Sequence, residues 1–407
     1  MSPRLKLQLN VFVTTILALG IGLFAYFFAA PPVEAPAVRT PPMASILVNT
    51  AAIVQAKISS TTPDSVTSGQ KVGLGQPNMP SAITVPTPRP AYQKAAVLTS
   101  LTSQTAATNT VSQVAKLESP YTTPPISADT ANVLARDAIV NIVCVTSGGV
   151  IKPISGSGVI IDPRGIILTN AHVAQYVLLS ESPNFGLTCS VRTGSPARPI
   201  WVPSVLYIPS IWVDAHAKDI NSVDPTGTGE HDYALLYITS SLSGQSIPQG
   251  VFPYLPVDTR ETIGFPGDQI LVASYPVELL GGIVTEGSLY AATTETTIMK
   301  LLTFGSGSVD LYSLGGVIEA QSGSSGGAVV NPWGYLIGLI VTTSVGTTTA
   351  NRDLHSLTLS YIDRDFSIQT GTNLSTFLSE DVVKEFQDFY TNQTLPLIKQ
   401  YYKALSR

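Results

Sequence analysis

From about residue 129 to residue 345 the chain is a succession of short apolar runs, AIVNIVCV, GVIID, IILTN, YALLYI, QILVASYP, AVVN and YLIGLIV, each bounded by Gly, Pro, Asn or Asp. Runs of roughly four to eight residues rich in Val, Ile and Tyr are strand-length, so the stretch predicts an all-β fold, a sandwich or a barrel. Taken to residue 373, it defines a domain over 127–373, enough for one large β fold or two smaller barrels.

The flanks read differently. Residues 11–30, VFVTTILALGIGLFAYFFAA, carry no charge, and as a helix they would span about 30 Å, the thickness of a bilayer's hydrocarbon core. Arg4 and Lys6 precede them, which predicts a cytoplasmic N-terminus over 1–10, a transmembrane helix over 11–30, and everything after it outside the cytoplasm, periplasmic or at the cell surface. A cleaved signal peptide competes with this uncleaved anchor, but the run is longer than a signal core and Pro31 and Pro32 fall where cleavage would occur. Residues 31–126 hold 14 prolines and only Tyr92 and Tyr121 as aromatics. Such a segment buries too little apolar surface to offset its ordering entropy and reads as a disordered linker with ends about 55 Å apart. After the β region, 374–407 reads as a helical extension: Val382, Phe386, Phe389 and Tyr390 recur at helical spacing, with Ser379 as the cap, and LIKQYYKALSR forms a second helix after Pro396.

A net charge of −5 with 22 basic residues argues against nucleic-acid binding, which needs concentrated Lys and Arg. In an oxidising compartment Cys144 and Cys189 can pair or remain buried thiols; two cysteines make no zinc cluster, and no cofactor or metal is called for.

Chemistry is sought in QSGSSGGAVV, residues 321–330. A Gly/Ser cluster before a strand is ordinarily a turn. A serine nucleophile needs a histidine base, and that imidazole an acid to orient it. Of four histidines, His216 and His355 lie in polar loops and His231 precedes an acid at a strand start, whereas His172 follows an apolar strand in ILTNAHVAQ.

Three blocks in order, GSGVIIDPRGIILTNAHV, HDYALLYI and SGSSGGAVVNPWGYLIGLIV, resemble the signatures of trypsin-like serine proteases, nearest to the HtrA/Deg branch; QILVASYPVELLGGIVTEGSLY adds a likeness to the start of that family's second barrel. The resemblance implies two Greek-key six-stranded β-barrels. It assigns the base to His172, the orienting acid to Asp232 and the nucleophile to Ser325, with the backbone N–H groups of Gly323 and Ser325 as the oxyanion hole. Ser324 departs from the family's Asn or Asp. Glu319, six residues before Ser325, stands where an acid would favour Lys or Arg substrates, although HtrA-like members often carry an apolar residue there. Thr342 and Thr343 would line the substrate edge, and the barrel's neighbouring first and fourth strands would hold Cys144 and Cys189 as a disulfide. The segment between His172 and Asp232, about 209–230, reads as an inserted, solvated loop. No PDZ domain is legible after the barrels. The expected activity is a membrane-anchored endopeptidase acting on polypeptides; the rival is a catalytically idle relative serving as a tethered binding module. An esterase fits less well, because GSSGG is not a G-x-S-x-G elbow.

Overall fold

Fourteen strands and seven α-helices can be assigned in the computed structural model, which describes residues 109–110, 115–116, 120–147, 151–222, 227–245, 247, 250–277, 289–305, 307–317, 322–343 and 352–406. The expected transmembrane helix over 11–30 lies outside them; among the described residues no helix is long and apolar enough to cross a membrane.

Six strands close a barrel: β2 (Ile139–Thr146), β3 (Ile154–Asp162), β4 (Ile166–Thr169), β5 (Leu187–Thr193), β6 (Arg198–Tyr207) and β7 (Ala234–Ser241), in the order β2-β3-β4-β7-β6-β5. Alternation along each strand divides their side chains between two cores. Val140, Ile142, Ile160, Ile167, Leu236 and Ile238 pack in one, together with α2 (Ala171–Ser180). Ile139, Val159, Ile161, Leu168 and Leu235 pack in the other, against Leu271, Ala273, Ala328, Val330 and Leu339 of the second sheet. The seam of the barrel is β2 on β5, where Cys144 stands directly opposite Cys189 and the two are joined by a disulfide.

The second β unit departs from the six-stranded barrel that the resemblance implies. It is an eight-stranded sheet in the order β1-β10-β11-β14-β13-β12-β8-β9. Its members are β1 (Asn109–Thr110), β8 (Gln269–Ser274), β9 (Ala292–Thr297), β10 (Lys300–Thr303), β11 (Leu311–Ser313), β12 (Ala328–Val330), β13 (Leu336–Thr343) and β14 (Leu354–Thr358). Strands β9 and β10 are separated by only Ile298 and Met299 yet stand near opposite ends of this order, so among the described residues the sheet curls back on itself with no pairing that closes it. Strand β9, a polar ATTETT run, pairs with β8 alone among the described residues, while Asn109 and Thr110 pair with Thr303 and Leu302, occupying the edge of β10.

That pairing also moves the start of the folded unit. Asn109–Thr110 and the residues from 120 onward, assigned above to the disordered linker, belong to it: Tyr121 stacks on Trp333 and Tyr335 and bonds Asp258 and Asn331. Helix α1 (Ala128–Ala138), capped by Ser127 Oγ, buries Ala131, Ala135 and Ala138 between barrel and sheet. At the other end α4 (Leu359–Thr370), α5 (Leu374–Ser379), α6 (Val382–Asn392) and α7 (Thr394–Leu405) follow β14. The cap of α6 is Asp381, not Ser379, because a carboxylate there reaches both Val383 and Lys384 amides while Ser379 ends α5. Pro396 lies within the first turn of α7, where its missing N–H costs nothing. Helices α4 and α5 pack Phe366 and Leu374 into the barrel–sheet core, and α7 packs Leu397, Ile398 and Tyr401 into the other.

Candidate active site

Strand β4 ends at Thr169 and α2 begins at Ala171, so His172 sits in the first turn of a helix, where backbone N–H groups have no intrahelical acceptor. Asp232 supplies it. Its Oδ1 accepts the His172 backbone N–H at 2.9 Å and its Oδ2 lies 2.7 Å from His172 Nδ1. One carboxylate thus caps the helix, where a negative charge is favoured, and grips the imidazole. Asn170, which leaves its own helix uncapped, instead holds the Asp232 carbonyl at 2.8 Å. An ionised carboxylate only accepts, so the shared proton belongs on Nδ1 and Nε2 is left with a free lone pair. Burial by itself would pull the pKa of His172 down; the charge of Asp232 and its hydrogen bond outweigh that and raise it above its ordinary 6.5.

The serine-bearing turn is pinned to the barrel by Ser157, a fully buried β3 residue that the sequence reading did not single out. Its N–H donates to the Ser325 carbonyl at 2.8 Å, and its hydroxyl donates to the Gly323 carbonyl at 2.7 Å and accepts the Tyr275 N–H at 2.9 Å. Thr169 Oγ1 donates to the Ser157 carbonyl at 2.7 Å, tying the same point to the end of β4 three residues before His172. Gly326 (φ +85°) lies so close that a Cβ there would stand 2.1 Å from the Ser157 oxygen and 2.5 Å from Thr169 Oγ1. At Gly323 (φ +89°) a Cβ would stand 2.4 Å from Val277 and 2.7 Å from the Tyr275 oxygen. Both glycines are demanded by close approach as well as by a left-handed backbone. The only sequence signal for Ser157 is the small-residue GSG block at 156–158, and Thr169 stands in the TNAHV block.

Within the turn, Gly326 and Gly327 donate their amides to the Ile340 and Ser324 carbonyls, both at 2.9 Å. The Gly323 and Ser325 amides donate to no backbone carbonyl among the described residues, leaving two donors on one turn. Buried Ser324 accepts a hydrogen bond from Ser274 at 3.0 Å, so the position that departs from the family pattern is satisfied by a neighbouring hydroxyl. The structure therefore brings His172 and Asp232 into direct contact and sets the Ser325 turn against the strand leading to His172. No hydrogen bond joins Ser325 Oγ to the imidazole, a contact that commonly tightens only when substrate is bound.

Glu319 lies outside the described residues. Thr342 and Thr343 end β13, opposite His355 and Leu354 of β14. Of the solvated loop expected at about 209–230, residues 210–220 are instead packed: helix α3 (Ser210–His216) and the turn after it bury Trp212, Val213, Ala217 and Ile220 in the core shared with the barrel. These apolar side chains gain more from that burial than from solvent exposure.

Residues 156–339 match the trypsin-like peptidase domain. Among solved structures, a serine endoprotease from Yersinia pestis is 21% identical, over 61% of this chain and 70% of that one, with a TM-score of 0.38. A protease from M. tuberculosis in its active form is 18% identical, over 68% of this chain and 96% of that one, with a TM-score of 0.37. No curated protein matches the chain.

Proposed function

We propose, from the match of residues 156–339 to the trypsin-like peptidase domain, that this chain is a serine endopeptidase held to a membrane by residues 11–30, with its catalytic unit outside the cytoplasm. Ser325 Oγ attacks the scissile carbonyl carbon and passes its proton to His172 Nε2. Asp232 keeps the imidazole oriented and stabilises the imidazolium. The oxyanion of the tetrahedral intermediate is met by the Gly323 and Ser325 N–H groups, each such donor contributing about 2.7 to 4 kcal/mol to the transition state in comparable sites. Collapse expels the amine, which takes the proton from His172; water, activated by the same imidazole, then releases the acyl group from Ser325.

The observation that carries this reading is the double contact of Asp232, to the His172 backbone at 2.9 Å and to Nδ1 at 2.7 Å, which fixes both the tautomer and the direction of the ring. The test is covalent labelling by a fluorophosphonate. The wild-type chain is expected to be labelled and Ser325→Ala to be silent; absence of label on the wild type at every pH would favour the idle binding module. Membrane tethering rests on the uncharged run at 11–30, and deleting residues 1–30 is expected to release the protein from the membrane fraction. Cleavage profiling of peptide libraries tests Glu319: without enrichment of Lys or Arg before the cut, it has no part in the primary pocket.

A further inference from the structure

Both members of the His172–Asp232 pair are held from behind by the C-terminal helices. On α4, Asp365 Oδ2 gathers three groups: His231 Nδ1 at 2.9 Å, the Tyr233 hydroxyl at 2.9 Å and Gln369 Nε2 at 2.5 Å. From the same helix the Tyr361 hydroxyl accepts the His231 backbone N–H at 3.0 Å. His231 immediately precedes Asp232 and has φ +59°, a left-handed conformation that a residue with a side chain keeps only where its surroundings hold it. On α7, the fully buried Tyr401 donates its hydroxyl to Gln175 Oε1 at 3.1 Å, and Gln175 Nε2 donates to the His172 carbonyl at 2.9 Å.

We propose that α4 and α7 are positioning elements of the catalytic pair: Asp365, through His231, fixes the turn that presents Asp232, and Tyr401, through Gln175, fixes the helical turn that carries His172. The inference rests on the peptidase reading above and deepens it, giving the helices that follow β14 a part in the reaction beyond covering apolar surface. The leverage is geometric, since a shift of about 1 Å at a catalytic group can cost on the order of 100-fold in rate. His231 faces Asp365 from α4 and Glu230 from its own turn, the latter at 3.8 Å from Nε2. Burial opposes protonation of His231, but the hydrogen bond and charge of Asp365, with Glu230, outweigh it and raise its pKa.

The test uses the full chain, a fluorophosphonate probe and a matched pair of tyrosines on α7. Tyr402 shares that helix but bonds Ser182 and Asn184, away from His172. Asp365→Asn and Tyr401→Phe are each expected to slow labelling of Ser325 about 10-fold per folded molecule. They are also expected to move the acid limb of the pH profile downward, because an imidazole less well aligned with Asp232 binds its proton more weakly. Tyr402→Phe is expected to lower the melting temperature while leaving both the rate and the limb in place. If Asp365→Asn and Tyr401→Phe behave as Tyr402→Phe does, the positioning claim is overturned and the peptidase reading stands. A wild-type chain that takes no label overturns both. The low-field resonance of the proton shared by His172 and Asp232 provides a readout apart from labelling, and it is expected to shift in both positioning variants.

Discussion

The closed barrel and the open sheet divide the site unequally. In the barrel, six strands hydrogen-bond in a ring, a disulfide crosses the seam, and His172 and Asp232 meet directly across α2 and the start of β7. The sheet, with edges at β1 and β9, contributes the Ser325 turn, which reaches the barrel through Ser157. The base is therefore organised within the barrel by the two contacts of Asp232, whereas the turn that carries the nucleophile is held by hydrogen bonds to Ser157 of the barrel and to Ile340 and Ser274 of its own sheet. Damage to the Asp232 contacts should act through His172 and its proton; damage to the contact between Ser157 and the Ser325 turn should act through the placement of Ser325 alone.

The largest effect is expected at the barrel's contribution. Asp232→Asn keeps the shape but reverses the hydrogen bond to Nδ1, and labelling of Ser325 is expected to fall by about 10⁴-fold. A drop below tenfold would mean that the orienting acid lies elsewhere. Next comes the contact between barrel and sheet: Gly326→Ala puts a Cβ 2.1 Å from the Ser157 oxygen. Backbone must move there, so a loss of about 100-fold or more in labelling rate is expected, with the His172–Asp232 proton resonance unchanged. Movement of that resonance would show that the two regions are coupled more tightly than the comparison allows. Removing the disulfide by Cys144→Ala with Cys189→Ala, across a separation of 45 residues, is expected to cost about 2 to 4 kcal/mol in denaturant unfolding without changing the rate per folded molecule. Ser157→Ala leaves the Gly323 carbonyl and Tyr275 amide without their partner and is expected to cost about 1 to 3 kcal/mol, together with a slower label.

The smallest effect is a pH dependence. The pKa of His231 is raised in the folded state, so its pairing with Asp365 contributes stability that is fully present below the ordinary 6.5 and is lost as pH rises through the raised value. The melting-temperature difference between wild type and Asp365→Asn is expected to be larger near about pH 5.5 than near about pH 9. A difference that grows with pH would reverse the sign of this pairing.

Four of the barrel's strands, β2, β3, β4 and β7, were legible because each holds a short apolar run, whereas β5 (LTCSVRT) and β6 (RPIWVPSVLY) mix polar residues and prolines into theirs; the blocks around His172, Asp232 and Ser325 were legible because they are local in sequence. The edge of the second sheet was not: β10 pairs there with Asn109 and Thr110, two polar residues within a Pro-rich segment that no periodicity marks. Helix α4 was hidden for a related reason. LSYIDRDFSIQT mixes apolar and acidic residues, and its Asp365 reads as a surface charge until the fold brings His231, Tyr233 and Gln369 around it. Ser157 and Gln175 are uninformative as letters, since their meaning lies in partners 166 and 226 positions away along the chain.

The most direct measurement is the pH dependence of the fluorophosphonate adduct, mapped by mass spectrometry. A base that must be neutral to act, with its pKa raised by Asp232, predicts a single adduct on Ser325 whose rate of formation falls below a midpoint above 6.5. An adduct on another residue, or a rate through Ser325 indifferent to pH across that range, would contradict the account.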